Sequence, residues 1–265
     1  MLIDSHAHVS PVWYEPVETL LGQMARHGVA RAVLTQMIGQ VDNRYQADCV
    51  RAHPGRFASV VWIDPAAPDA PQVLASLADE GAAGVRLRPG ARSPGDDPLA
   101  IWKAAQACGL PVSCVGNAEA FCAPAFAELL QAVPGLTVVL EHLGDTSKPM
   151  ESEADGELRY TVLRLCRFDN VILKVPGLGE LVPRASTALR DGPTFGGAAA
   201  ALLEAAIAAF GAPRLMWGSD FPVVSSREGY GNALGLVREC LLDHAAPVRE
   251  AILGGTARRV FWKET

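Results

Sequence analysis

The feature that most constrains this chain is an alternation that runs from one end to the other. Short runs of β-branched and other apolar residues are separated by Ala- and Leu-rich stretches with helical character. The candidate strands are residues 2–8, 30–37, 57–63, 84–88, 111–115, 137–141, 171–175 and 215–218. Helical stretches are expected near 15–27, 42–52, 69–80, 97–108, 120–132, 158–167, 196–210 and 228–243. Proline and glycine punctuate the joins, as in Asp64-Pro65, Val133-Pro134-Gly135 and Gly211-Ala212-Pro213. Repeated strand-then-helix units imply a parallel sheet with helices outside it. Eight such units in 265 residues predict an α/β fold, a closed (β/α)8 TIM-type barrel forming a single domain over 1–265. The alternative is an open doubly wound sheet.

Composition supports a packed core and narrows the partners. At 49% hydrophobic and 20% charged residues the chain is globular, which excludes disordered, collagen-like and coiled-coil classes. A net charge of −6 argues against a nucleic-acid or anionic-membrane partner, since either favours a basic face. The six cysteines form no CxxC pair, so they read as reduced thiols of a cytoplasmic protein. No targeting signal is visible, because Asp4, His6 and His8 interrupt the place where its apolar run would lie. The Ala-rich stretch 195–213 contains Glu204 and reads as an amphipathic helix, not a membrane span.

Three segments carry candidate chemistry, and each ends a strand at the face where a barrel builds its site. In Asp4-Ser5-His6-Ala7-His8, alternation along a strand puts His6 and His8 on one face, with Asp4 below them on the same face. Two imidazoles at the barrel mouth make half of a metal site; two solvated histidines are the bland reading. In Val138-Val139-Leu140-Glu141-His142, alternation groups His142 with Leu140 and Val138 as the inward set and turns Glu141 away. A core histidine bonded to a carbonyl is the alternative for His142. In Leu215-Met216-Trp217-Gly218-Ser219-Asp220, Asp220 closes the eighth strand, either for chemistry or as a turn cap. Together these residues converge on one rim. Neutral imidazoles and a carboxylate there suit a zinc-like ion, and the carboxylate can also take a proton from water.

The motifs DSHAHV, LEHLGD and WGSDFP, with the terminal ILGGTARRVF, resemble the amidohydrolase superfamily. More narrowly they resemble its amidohydrolase-related branch of pyrone-dicarboxylate and sugar-acid lactonases and aminocarboxymuconate-semialdehyde decarboxylase. The resemblance runs from residue 2 to about 262 and implies the same (β/α)8 barrel. It also implies that His6, His8 and Asp220 are metal ligands, that Asp220 is the general base or acid, and that His142 is the histidine of strand six. Two departures bear on the metal. Val115 stands where many metal-using members carry a strand-five histidine, and strand four offers Arg86 and Arg88 in place of a bridging lysine. A two-metal site is therefore not expected. One divalent ion, zinc or manganese, remains compatible with His6, His8 and Asp220, with Cys114 as a weaker further ligand. Lactonase-like members that work without metal keep the metal-free state open as well.

Arg86, Arg88 and Lys174 are cations expected to face the barrel interior, where they need an anionic partner, either an internal carboxylate or a carboxylate of the substrate. The expected reaction is water attack, assisted by Asp220 and His142, on a lactone or related ester-like bond of a small carboxylated molecule. The alternatives are a metal-dependent decarboxylase acting on an aromatic or muconate-like acid and a non-catalytic binding protein. Trp13 suits either a pocket wall or the core, and the segments 144–157 and 176–197 are long enough to shape a pocket. A homodimer is compatible with all of this.

Overall fold

The computed structural model describes residues 1–181 and 196–262. Its eight strands are β1 (Ile3–Ala7), β2 (Arg31–Thr35), β3 (Phe57–Val61), β4 (Gly84–Leu87), β5 (Val112–Cys114), β6 (Val138–Leu140), β7 (Val171–Val175) and β8 (Leu215–Trp217). They pair in parallel in chain order, each with the next. The ring closes just past the strand ends. Ala7 bridges to Phe221, His8 N–H donates to the Phe221 carbonyl at 2.7 Å, and Asp220 N–H donates to the His6 carbonyl at 2.8 Å. The molecule is a (β/α)8 barrel, and its seam lies where two of the site-bearing segments meet.

Alternation sorts the side chains into two cores. Ile3, Val33, Val60, Val139, Ile172 and Met216 point into the barrel, and Phe261 of the C-terminal helix Thr256–Phe261 packs with them. The neighbouring positions Leu34, Val61, Leu87, Leu140, Leu173 and Trp217 face the helical layer. The helices supply matching stripes. In Val17–His27, the buried Val17, Leu20 and Met24 recur at helical spacing, and the helix stops at Gly28, whose φ of 70° suits glycine and whose N–H bonds to Met24 O.

Several helical expectations differ in detail, and the helix expected near 158–167 begins earlier, spanning Glu153–Leu163. The stretch near 120–132 is two helices, Ala118–Cys122 and Pro124–Ala132. Pro124 has no N–H and pushes Ala123 to extended angles of −62° and 137°. The helices Ala246–Glu250 and Thr256–Phe261 have no counterpart among the expected stretches. Helix Gly196–Phe210 buries Ala199, Leu202, Leu203, Ala206 and Phe210, but its exposed positions are mostly alanine with Glu204, so it is one-sided in burial and not in polarity, unlike the amphipathic helix expected. Of the 176–197 stretch, residues 182–195 lie outside the described residues. Among the described residues, no helix is long and apolar enough to cross a membrane.

One irregularity decides where the site residues point. The β1–β2 register runs Asp4↔Ala32 and then Ala7↔Leu34, so β1 carries one residue more than its partner between these pairs. That bulge resets the alternation. Ile3 below it and His6 above it both face inward, whereas Asp4 turns outward to Tyr230. The expectation that Asp4 shares a face with the histidines is thereby corrected. Gly218 of the neighbouring β8 segment makes room for the bulge: a Cβ there would sit 2.7 Å from His6 Cβ and 3.0 Å from Ser5 Oγ. Gly218→Ala is expected to destabilise the protein by about 1–3 kcal/mol, the cost of overpacking. Chemical denaturation checks this, and an unchanged midpoint contradicts the account of the bulge.

Candidate active site

The site is built from strand ends, with Asp220 at its centre. His6 Nε2 and His8 Nε2 lie 3.7 and 3.6 Å from the same oxygen, Asp220 Oδ1. All three residues are buried. His8 Nδ1 is 2.6 Å from the Thr35 carbonyl oxygen, which accepts its hydrogen and leaves Nε2 with a free lone pair. His6 Nδ1 instead meets Lys174 Nζ at 2.9 Å. His142 joins from the other side, its ring centroid 5.4 Å from that of His6.

His142 reaches this position by an unexpected route. β6 ends at Leu140, and its inward residues are Val139 and Glu141; Val138 and Leu140 pack on the outer helices. The inward set expected for this strand is therefore inverted, and Glu141 belongs to the site. His142 follows in a left-handed turn, with φ values of 52°, 55°, 65° and 65° at His142, Leu143, Gly144 and Asp145. Such angles cost non-glycine residues roughly 1–2 kcal/mol each, so the packing of this turn must hold them. A Cβ at Gly144 would lie 2.6 Å from Val162 Cγ1, which shows how closely the turn is packed. Asp220 and Leu178 also have positive φ, so each loop after β6, β7 and β8 carries such strain.

Beneath the rim lies a closed polar network. Arg86 Nε and Nη2 donate to Glu141 Oε1 and Oε2 at 3.0 and 2.7 Å, and Arg86 Nη1 donates to the Gln36 carbonyl at 3.0 Å. Ser113 Oγ donates to Glu141 Oε1 at 2.7 Å and accepts from Lys174 Nζ at 2.7 Å. Burial alone would raise the Glu141 carboxyl, but Arg86 and Lys174 outweigh it and hold the group far below the usual carboxylate range. Burial likewise lowers the Lys174 ammonium, to about 8. Above this floor opens a pocket of about 540 Å³ lined by His8, Trp13, Tyr14, Arg88, His142 and Asp220, among others. Trp13 is 77% exposed there, so it belongs to the mouth and not to the core.

The cations expected to face inward separate at this level. Arg86 and Lys174 find internal partners, whereas Arg88 is exposed on the pocket wall and its guanidinium has no partner among the described residues. The other charges at the wall are matched: Lys148 with Asp145 at 2.7 Å and Glu180 with Arg227 at 2.6 Å. Arg227 also approaches Asp220 Oδ2 at 3.9 Å and bonds Glu228, tying the loops after β7 and β8 together. Val115 lines the pocket. Cys114 faces the outer core and is not grouped with His6, His8 and Asp220, and burial pushes its thiol well up. A larger cavity of about 730 Å³ lies on the flank between helices Arg44–Ala52 and Ala70–Asp79, with its charges at the exposed rim and none of the site residues in its lining.

His6, His8 and Asp220 form a candidate metal-binding group, their ligand atoms within 4.8 Å of one another. His8 and Asp220 suit a divalent cation as they stand. His6 does not, because metal-bound histidines donate their second N–H to an acceptor, and here the second nitrogen faces an ammonium. The residues thus fit a resident ion incompletely, for a reason that lies in Lys174.

Comparison with known proteins agrees with the architecture. A family model described as amidohydrolase matches residues 3–262. The L-fucono-1,5-lactonase of Burkholderia ambifaria is 30% identical over 250 residues, covering 88% of this chain and 80% of that protein. A Pseudomonas putida structure assigned as a 2-pyrone-4,6-dicarboxylic acid hydrolase superposes with a TM-score of 0.78 at 28% identity, covering 98% and 97% of the two chains. A zinc-bound amidohydrolase from Burkholderia multivorans shares the fold, with a TM-score of 0.77 at 22% identity over 98% and 99%. The chain belongs to the amidohydrolase family, and it is a hydrolytic enzyme.

Sequence reasoning passed over Glu141, Ser113, Thr35 and Arg227. Glu141 could have been found from Val139, whose apolar neighbours on both sides make either face of β6 equally plausible; Arg86 two strands away supplies the missing charge argument. Glu141→Gln keeps the shape but leaves Arg86 with an uncompensated buried charge. The expected loss is about 3–5 kcal/mol in urea unfolding. A loss below about 1 kcal/mol would show that the pair is not the floor of the site.

Proposed function

We propose that this amidohydrolase opens a lactone, or a related ester-like bond, in a small substrate that carries a carboxylate. The observation that supports it most is the unpartnered Arg88 guanidinium on the wall of the same pocket that His8, Asp220 and His142 line, with His6 Nε2 buried 3.7 Å from Asp220 Oδ1. A guanidinium fork suits a carboxylate, and seating it would orient the ring over the buried group. The lactonase and pyrone-hydrolase assignments of the relatives agree with this chemistry.

The reaction then follows from the residues. Water bonds to the carbonyl carbon while Asp220 takes one of its protons. The carbonyl π electrons move to oxygen, where His142 and His6 stabilise the tetrahedral oxyanion. On collapse the carbonyl re-forms, the ring C–O bond breaks, and the proton from Asp220 goes to the departing oxygen. The product is an open-chain hydroxy acid with one more carboxylate. Arg86 and Lys174, for which the sequence leaves a substrate carboxylate and an internal carboxylate both open as partners, act here through the internal one by holding the floor. A zinc or manganese ion on His6, His8 and Asp220 is left out of this scheme because Lys174 occupies the second nitrogen of His6. The same incomplete fit argues against the decarboxylase alternative, which depends on a tightly held metal.

Two variants test the assignment on carboxylated lactones followed by acid release. Asp220→Asn should abolish turnover with the circular dichroism spectrum retained; near-normal activity would sink the base role. Arg88→Met should raise KM for a carboxylated lactone about 10- to 100-fold, equivalent to losing a charge-assisted hydrogen bond of about 1.5–3 kcal/mol, and should leave kcat within a few-fold. An equal effect on an uncharged lactone would contradict the anchoring role.

A further inference from the structure

Lys174 is 2% exposed and lies in the interior below the rim, 5.8 Å from the Phe261 ring. Neither Lys174 nor His6 is in the pocket lining, but His6 Nε2 lies 3.7 Å from Oδ1 of Asp220, which is, so the part of Lys174 in the site must pass through His6. The Ser113 hydroxyl has one hydrogen and gives it to Glu141 Oε1, so toward Lys174 it can only accept. Both Glu141 oxygens in turn accept hydrogen bonds, Oε1 from Arg86 and Ser113 and Oε2 from Arg86. Lys174 is therefore a donor to Ser113, and as an ammonium it has only donors to offer its other neighbour, His6 Nδ1. The charged groups that act on it electrostatically come from four segments: Glu141 after β6, Arg86 on β4, and Asp4 and Asp220 from the β1–β8 seam.

A neutral ring that accepts at Nδ1 carries its hydrogen at Nε2. His6 thus presents an N–H to the site, and that buried nitrogen has no hydrogen-bond partner among the described residues. His8 is arranged the other way round, with its Nδ1–H donated to the Thr35 carbonyl and its Nε2 lone pair free. Two histidines of one motif, both within 3.7 Å of Asp220 Oδ1, therefore offer opposite hydrogen-bond characters to the same space.

We infer that Lys174 is a positioning residue that sets His6 as the Nε2–H tautomer, so that His6 donates to the reacting carbonyl oxygen while His8 accepts from the attacking water. The inference rests on the proposed lactone hydrolysis for its use, but not for its structural content. A buried donor without an acceptor is costly, and a substrate carbonyl supplies the acceptor. The bond strengthens as negative charge grows on that oxygen, which favours the transition state over the ground state. The same arrangement weakens metal capture, because a cation at His6 Nε2 requires the hydrogen to move to Nδ1 against Lys174.

The test is long-range 1H–15N correlation spectroscopy of the full chain labelled at histidine ring nitrogens, with His8→Gln and His142→Gln spectra for assignment. The expected result is His6 as the Nε2–H tautomer and His8 as Nδ1–H. In Lys174→Met, His6 should shift toward Nδ1–H, and zinc should bind about 10- to 100-fold more tightly by calorimetry. For a carboxylated lactone, kcat should fall about 100-fold with KM little changed. His6 found as Nδ1–H in the native protein, or an unaltered His6 pattern and zinc affinity in the variant, overturns the inference. Should Lys174→Met fail to fold, the native spectrum alone decides. A native protein with the expected tautomers and no activity on any lactone would refute the proposed function and leave the role of Lys174 in setting the His6 tautomer standing.

Discussion

The buried ion pair between Arg86 and Glu141 is the interaction on which the site is built. Each partner would be very costly alone in the barrel interior, so neither can be understood without the other. The fork of the guanidinium fixes both carboxylate oxygens, the Gln36 carbonyl takes a further N–H, and Ser113 adds a second hydrogen bond to Glu141 Oε1. This arrangement gives Lys174 a fixed place to stand, and Lys174 gives His6 a fixed ring orientation. Polar order thus passes upward from β4 and β6, through β5 and β7, to the first strand. A fully connected network of this kind is rigid in a way that an apolar floor of equal volume is not.

The upper part of the site depends on backbone shape more than on hydrogen bonds. His142 and Asp220 both occupy left-handed conformations, and the bulge in β1 brings His6 and His8 inward with Asp4 left outside. Asp4 is not idle there. It accepts from Ser219 N–H, Ser219 Oγ, Tyr230 Oη and His6 N–H, which pins the β1–β8 seam. The residue that looked like a third member of the HxH face is therefore the clamp that holds two segments of the site together. Strain at the rim and saturation beneath it are complementary. The floor is stable enough to hold loop conformations that would be unfavourable in isolation.

The barrel was legible because its evidence is periodic and repeated. Eight strands and their order follow from β-branched runs and Pro/Gly joins, and errors at the ends, such as Ala123 before Pro124, do not change the topology. His6, His8, His142 and Asp220 were legible as residue types at strand ends. Their facing was not. At β1 a single extra residue reverses the alternation, and at β6 the run Val138-Val139-Leu140 is apolar on both faces, so the pattern carries no sign. Only the pairing of Arg86 with Glu141, a contact between residues 55 apart in the chain, settles it. The distinction between Arg88 and its two fellow cations was equally invisible, because it depends on which of the three finds an internal partner.

On this reading one pocket seats a carboxylate on Arg88 and a carbonyl beside the histidines, with water next to Asp220. A crystal structure with a slowly hydrolysed analogue, a carboxylated lactam of matching ring size, tests this most directly. The predicted result is the ring carboxylate on the Arg88 guanidinium, the amide oxygen within hydrogen-bond distance of His6 Nε2, and an ordered water between Asp220 and the carbonyl carbon. An analogue bound with its carbonyl away from His6 and Asp220, or with its carboxylate elsewhere than Arg88, would contradict it.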